Sequence, residues 1–328
     1  MSRKQFRWGV IGPGRIAHRF ARGLSVIENA KLYAVASRDV ARSRLFAETY
    51  GAERAYGSYA ELVEDYRVDA VYIATPHRFH FEQALLAMEA GKPVLCEKPL
   101  TVNVAQAKAL IQTANRKRVF LMEALWTRFL PVYREVRKWL DQGRIGQPQL
   151  LNSTFGFKAP LDDEDRVYNA ALAGGALLDL GVYNLSTTQW VLRRNAEYFS
   201  AHSHIGRTGV DELTAVDLFY EDGTASQFTC TIKAQTENDF NIYGDEGRIR
   251  IHPPFWEATT ATLISGDETL TVEKPHLGMG FEYEILEVMR CVRKGLIESP
   301  EMPHAQSLAT MAMMDKIRAA IGLRYPFE

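Results

Sequence analysis

The chain has 328 residues, 46% of them hydrophobic and 24% charged, which is long enough for two domains of ordinary size. Its formal net charge of −1, with Lys and Arg scattered against nearly equal Asp and Glu, argues against nucleic acid or an anionic membrane as partner and leaves small or nucleotide ligands. No apolar run reaches the roughly 18 residues that span a bilayer. Met1–Trp8 enters the first strand without a signal-type stretch, and Cys96, Cys230 and Cys291 form no disulfide or zinc framework and read as packing residues, so the expected compartment is the reducing cytoplasm.

From the start to about Met122, apolar strand-like runs alternate with amphipathic helical stretches, the pattern of a doubly wound parallel sheet. Strands are predicted at 6–12, 31–37, 69–74, 93–96 and 118–122, and helices near 15–25, 40–50, 59–65, 79–90 and 103–115. The first strand runs directly into Gly12-Pro13-Gly14-Arg15-Ile16-Ala17, a Gly-x-Gly-x-x-Ala turn that opens a helix. In such a turn Gly12 supplies unusual backbone angles and Gly14 lets the backbone approach a pyrophosphate, while Ala17 permits close helix–strand packing. The phosphates of a dinucleotide would then sit at the start of the helix, beside Arg15 and Ile16.

The second strand ends in Ala36-Ser37-Arg38-Asp39, the place where a dinucleotide fold separates NAD from NADP. A carboxylate there serves the ribose 2′-hydroxyl of NAD, whereas Ser37 and Arg38 offer a hydroxyl and a guanidinium suited to a 2′-phosphate, so NADP is expected, with NAD as the alternative. Asp39 stands one place late and is also a plain helix cap. Further on come Thr75-Pro76-His77-Arg78-Phe79-His80 after the strand ending at Ala74, and Glu97-Lys98-Pro99 at the end of the next apolar run.

Past Trp126 the rhythm changes. A helix begins near Pro131 and ends near Asp141, and a strand at 148–157 leads to Gly174-Gly175, which opens an apolar helix of about four turns reaching Leu192. Strands follow near 197–205, 213–220, 224–232, 238–243 and 248–252, and helices near 280–295 and 304–321. The expected organisation is a Rossmann domain over 1–123 and an α+β domain over 124–328 built on an open, mainly antiparallel sheet. Such a sheet suits a homodimer or larger homo-oligomer. Asp179 and Tyr183, four apart in a largely apolar stretch, would share one helix face, and a buried carboxylate there needs a hydrogen-bonding or charged partner. His77 with His80, and His202 with His204, lack third and fourth ligands nearby, so no metal is expected.

The combination of Gly12-x-Gly14-x-x-Ala17, Thr75-Pro76-x-x-x-His80, Glu97-Lys98-Pro99 and Gly174-Gly175-Ala176-Leu177-Leu178-Asp179-Leu180-Gly181 resembles the glucose-fructose oxidoreductase and inositol dehydrogenase family, Gfo/Idh/MocA, over almost the whole length. Met122–Phe129 and Tyr183 look most like its branch of dimeric dihydrodiol dehydrogenases and NADP-dependent D-xylose dehydrogenases. The family pattern usually has His where Tyr183 stands.

This resemblance implies an NADP-dependent oxidoreductase acting on a secondary alcohol of a sugar, cyclic polyol or trans-dihydrodiol. It implies Lys98, Asp179 and Tyr183 as the catalytic residues, with a possible cis bond before Pro99 and Glu97 beside the nicotinamide. Cofactor contacts are expected from Gly12, Gly14, Arg15, Ile16, Ser37, Arg38, Thr75, Pro76, His77, His80, Glu97 and Lys98, and substrate contacts from Trp126, Phe155, Asp179 and Tyr183. A phenol is a poor base at neutral pH, and a neighbouring ammonium would favour the phenolate, which makes Tyr183 the expected proton acceptor. Two other functions fit the same motifs: a glycoside hydrolase working through transient oxidation on held NAD, and an NADP-binding regulator without turnover.

Overall fold

The computed structural model describes residues 5–328, and the first four residues of the N-terminal stretch considered above lie outside the described residues. Two compact units divide the chain: one comprises the described residues up to Trp126 together with Leu277–Leu308, the other Thr127–His276 with Ala309–Glu328.

In the first unit six parallel strands take the order β3-β2-β1-β4-β5-β6, with β1 at Phe6–Ile11, β2 at Ala30–Ala36, β3 at Arg54–Tyr56, β4 at Ala70–Ile73, β5 at Val94–Glu97 and β6 at Leu121–Ala124. The central strands are buried on both faces, which is why they read as continuous apolar runs and not as alternating patterns. The helices α1 (Arg15–Ser25), α2 (Val40–Tyr50), α3 (Tyr59–Glu64), α4 (His80–Glu89) and α5 (Val104–Lys117) connect them. Local chemistry sets their starts. Asp39 accepts from the Ala41 amide, Ser58 and Glu61 form a reciprocal capping box, and Asn103 accepts from the Gln106 amide. The core of this layer is aromatic: Phe20 of α1 stacks on Tyr72 of β4 at 3.9 Å between ring centres and meets Trp8 of β1 edge-on at 5.2 Å. The short strand β3 escapes sequence periodicity because three residues, two of them half-buried and one exposed, carry no pattern.

The second unit holds α6 (Pro131–Asp141), with Pro131 in its first turn, and an eight-stranded sheet. Its strands are β7 (Pro148–Gly156), β8 (Tyr198–Ile205), β9 (Asp211–Phe219), β10 (Ala225–Thr231), β11 (Phe240–Gly244), β12 (Gly247–Ile251), β13 (Thr260–Ser265) and β14 (Glu268–Glu273), in the order β14-β13-β12-β11-β7-β10-β9-β8. Pairing is antiparallel except between β7 and β10, so the sheet is mainly antiparallel. The hairpin β13–β14 was not expected: its Thr- and Glu-rich outer strand has no buried residue and therefore no apolar signal.

The apolar helix after Gly175 is not regular from its start. Leu177–Gly181 forms a π-turn, and the α-helix α7 runs from Val182 to Leu192. A π-turn inserts one extra residue per turn, so the four-residue spacing of Asp179 and Tyr183 does not carry the simple α-helical alignment. The helix α8 (Glu282–Arg293) belongs to the first unit and packs against α1, while α9 (His304–Ala320) runs through the division between the two units.

Candidate active site

In the first unit the candidate cofactor residues follow the carboxyl ends of adjacent strands. Gly12 leaves β1 at φ +84°, and a Cβ there would lie 2.5 Å from Thr75 Cγ2, so only glycine lets the ends of β1 and β4 approach this closely. Gly14 stands at the N-cap of α1 in extended conformation with no side-chain cap, and no acidic residue occupies the first turn. The exposed Arg15 and half-buried Ile16 begin the helix. A bare helix start beside a glycine turn fits a pyrophosphate.

At the end of β2, Asp39 spends a carboxylate oxygen on the Ala41 amide at 2.9 Å, and the buried Ser37 hydroxyl accepts from the Asp39 amide at 3.2 Å. Arg38 is exposed, its guanidinium 5.7 Å from the centre of the Phe79 ring. That arrangement leaves a cation over an aromatic plane where the carboxylate is already committed to capping.

After β4, the Thr75 hydroxyl donates to Gln83 Oε1 at 2.6 Å, and Pro76 leads into a single 3-10 turn at His77–Phe79. The fully buried His80 ring lies between two backbone carbonyls, with Nδ1 2.8 Å from the Pro99 oxygen and Nε2 2.9 Å from the Thr75 oxygen. A neutral imidazole has one N–H and donates to one of these carbonyls at a time. His80 thereby ties the Thr75 loop to the Lys98-Pro99 segment, while the buried His77 ring stands 5.7 Å from it.

The strand β5 ends at Glu97, which accepts from the Tyr72 hydroxyl and from the Lys98 amide, and Lys98 is half-buried just beyond it. The Lys98–Pro99 bond is cis. Near Glu97 sits a carboxyl that sequence reasoning missed: Glu284 of α8 is fully buried, and neither carboxyl oxygen has a hydrogen-bond partner among the described residues. Burial, and then the nearby charge of Glu97, push its pKa well above the usual carboxyl range, which favours the neutral form. Trp126, also of this unit, is buried against Phe281 at 4.7 Å between ring centres, with the Arg19 guanidinium 5.1 Å from its ring.

In the second unit Asp179 lies in the π-turn, buried, with its Oδ2 3.0 Å from Arg166 Nη2. Sequence reasoning did not find Arg166, which sits at the end of the run Asp162-Asp163-Glu164-Asp165 with no motif to mark it. Tyr183, in the first turn of α7, is buried with its ring 5.6 Å from that of Phe155. Phe155 in turn stacks on Trp256 at 3.5 Å and 6°. Trp256 was also missed. The nearby Pro253-Pro254 pair was the available sign.

Comparison with known proteins agrees with these motifs. Residues 6–125 match the model of the Gfo/Idh/MocA oxidoreductases, described as an oxidoreductase family with an NAD-binding Rossmann fold, and residues 133–250 match the Gfo/Idh/MocA C-terminal domain. The chain belongs to the Gfo/Idh/MocA oxidoreductase family. Trans-1,2-dihydrobenzene-1,2-diol dehydrogenase of Danio rerio is 40% identical over 97% of this chain and 98% of the relative, and that of Homo sapiens is 35% identical over 98% of each. Among solved structures, a 3-ketoreductase from Actinomadura kijaniata in complex with NADP and TDP-benzene is 30% identical with a TM-score of 0.86, covering 97% of this chain and 98% of its own.

Within this family member, Glu284 makes a stability prediction. A carboxyl neutral in the folded state and ionised in the unfolded chain favours unfolding increasingly as pH rises above the unfolded value of about 4.3. Glu284→Gln keeps the neutral shape and removes that dependence. Urea unfolding is expected to show the variant gaining stability relative to the parent between pH 4 and pH 8. An unchanged difference across that range would show that Glu284 ionises in the folded protein.

Proposed function

We propose that this Gfo/Idh/MocA member is an NADP-dependent dehydrogenase that oxidises a secondary hydroxyl of a trans-dihydrodiol, an aldose or a cyclic polyol. The observation that carries the reading is the strand-end arrangement of the first unit, where the Gly12 turn, the Thr75 loop and Lys98 follow adjacent parallel strands. Near full-length similarity to trans-1,2-dihydrobenzene-1,2-diol dehydrogenases supports the substrate class, and similarity to a ketoreductase in complex with NADP supports the cofactor.

NADP supplies the hydride acceptor when bound. The residues of this chain handle the rest of the reaction, in which a C–H and an O–H of the alcohol become a carbonyl with release of one proton. The Lys98 ammonium stabilises negative charge growing on the substrate oxygen. Tyr183, as its phenolate, accepts the hydroxyl proton and becomes the phenol. Asp179, held by Arg166, accepts a hydrogen bond from a neighbouring substrate hydroxyl and orients it. The stacked Phe155 and Trp256 offer a flat apolar surface suited to a cyclohexadiene ring or a sugar face.

Lys98→Ala and Tyr183→Phe should each lower kcat on trans-1,2-dihydrobenzene-1,2-diol by about 10²–10⁴-fold. The NADP dissociation constant should change by less than about threefold, and the double variant should be hardly worse than either single one, as for groups that act as a unit. An enzyme unharmed by the Lys98 change refutes the assignment. The same absorbance assay, run across aldoses, inositols and dihydrodiols, selects the substrate, and a blank across the panel would favour a nucleotide-binding regulator.

Arg38 is proposed as the contact for the 2′-phosphate, supported by its exposure at the end of β2 and by the commitment of Asp39 to capping. Arg38→Ala is expected to weaken NADP by about 10–100-fold, the worth of one charge-assisted contact, and to leave NAD nearly unchanged. Equal losses for both cofactors in fluorescence titrations would contradict that role. The finer reading places the enzyme in the cytoplasm, which suits three buried free cysteines, as a homo-oligomer built on the eight-stranded sheet. Sedimentation velocity is expected to give a dimer or larger species, and a concentration-independent monomer would remove the oligomer.

A further inference from the structure

The residue that organises the Tyr183 helix stands outside every motif singled out above. Asp211 begins β9 and is fully buried. Its Oδ2 accepts from the Leu177 amide at 2.7 Å and from the Thr214 hydroxyl at 2.8 Å. Its Oδ1 is buried with no hydrogen-bond partner among the described residues, in the space that a side chain at Gly175 would fill: a Cβ there, at φ +113°, would come within 2.1 Å of it. On the other side of the same turn the Tyr325 hydroxyl donates to the Gly174 carbonyl at 2.8 Å. The glycine pair is thus pinned from both sides before the chain enters the π-turn.

From this geometry we propose that Asp211 is a positioning residue: by capping the first amide of the π-turn it sets the path of the backbone through Asp179 into Tyr183. The proposal rests on the catalytic reading of Tyr183 given above. Leu177 opens the π-turn and Asp179 lies within it, so a shift of the Leu177 amide moves both functional side chains. A carboxylate also interacts favourably with the positive end of a helix, so the ionised form holds the turn more tightly than the neutral one.

The groups facing this carboxyl come from several elements. Arg318 of α9 is the cation among them, itself paired with Asp315 at 3.1 Å and Glu328 at 2.7 Å. Tyr325 and, on β10, Cys230 feel the Asp211 charge, and Asp179 acts on Tyr325. Burial raises the Asp211 carboxyl to about 7, against the lowering bonds from Thr214 and the Leu177 amide and the field of Arg318. The carboxyl therefore gains its charge, and the turn its tighter cap, as pH rises through neutrality.

Full-length wild type, Asp211→Asn, Asp211→Ala and Tyr183→Phe are to be compared for kcat and KM on trans-1,2-dihydrobenzene-1,2-diol from pH 5.5 to 9, together with NADP affinity. Wild-type kcat should rise through an inflection near pH 7. Asp211→Asn, which keeps an acceptor for Leu177 but no charge, should lose that inflection and run about three- to tenfold below wild type at pH 8. Asp211→Ala should lose about 10²-fold in kcat, the cost of misplacing reacting groups, with KM and NADP affinity within about threefold of wild type. If Asp211→Ala does not fold, Asp211→Asn decides. An Asp211→Asn enzyme with wild-type kcat and an intact inflection overturns the positioning role when Tyr183→Phe is inactive. A fully active Tyr183→Phe enzyme overturns the catalytic reading itself, and this proposal with it.

Discussion

Parallel pairing of β1 with β2 on one side and β4 on the other is the constraint on which the chemistry of the first unit depends. Parallel strands end on the same edge of their sheet, so the turns after β1, β4 and β5 must all emerge together, and these turns carry Gly12, Thr75 and Lys98. The strand order reverses between β1 and β4, which opens a crevice at that edge. The contacts that fix the crevice come from beneath it. Tyr72, packed face to face on Phe20, donates to Glu97, and the His80 ring joins the carbonyls of Thr75 and Pro99. Apolar packing thereby determines where the polar groups at the strand ends stand.

The second unit reaches the same result by another route. The helix α7 is buried around most of its circumference, and five of its buried residues are Asn184, Ser186, Thr187, Thr188 and Gln189. A helix so enclosed must find partners for those groups. Asn184 donates to Ser153 on β7, Thr188 pairs with Ser226 on β10, Arg128 donates to Ser186, and Thr310 on α9 donates to Gln189. These pairs lie on different sides of the helix and fix its rotation, which a purely apolar helix surface would leave to packing alone. Tyr183 inherits that fixed rotation, while Asp179, in the wider turn ahead of it, depends on the bonds made to the turn itself.

Much of this was legible in the sequence. The helix bounds of the first unit follow from Asp39, Ser58 and Asn103, whose side chains act on neighbouring amides, and the strands of its sheet follow from runs buried on both faces. What escaped was set by contacts between residues distant in the chain. Arg166 meets Asp179, Trp256 stacks on Phe155, and Glu284 is buried near Glu97, and none of these pairs has a spacing that a linear pattern can express. The π-turn escaped for the same reason. Its sequence, Leu-Leu-Asp-Leu-Gly, is compatible with an ordinary helix, and the departure is seen only with Asp211 capping its first amide.

Three carboxyls that are buried or nearly so show how hydrogen-bond and charged partners, together with depth, shift their ionisation. The Glu284 carboxyl has no hydrogen bond among the described residues and its pKa is pushed well up. Asp211 has two donors and settles at about 7. Glu287, against its own burial, is brought below the ordinary value by Arg290 and Ser299. Desolvation is offset only by donors close enough to replace lost water: Glu284 and Asp211 are equally buried and differ in donors, while Glu287 is less deeply buried and has an arginine. The Glu284 carboxyl is shifted toward its neutral form and the Glu287 carboxyl toward its charged form. Asp211, raised by burial to about 7, lies between them, and its carboxyl caps the turn that leads to Tyr183.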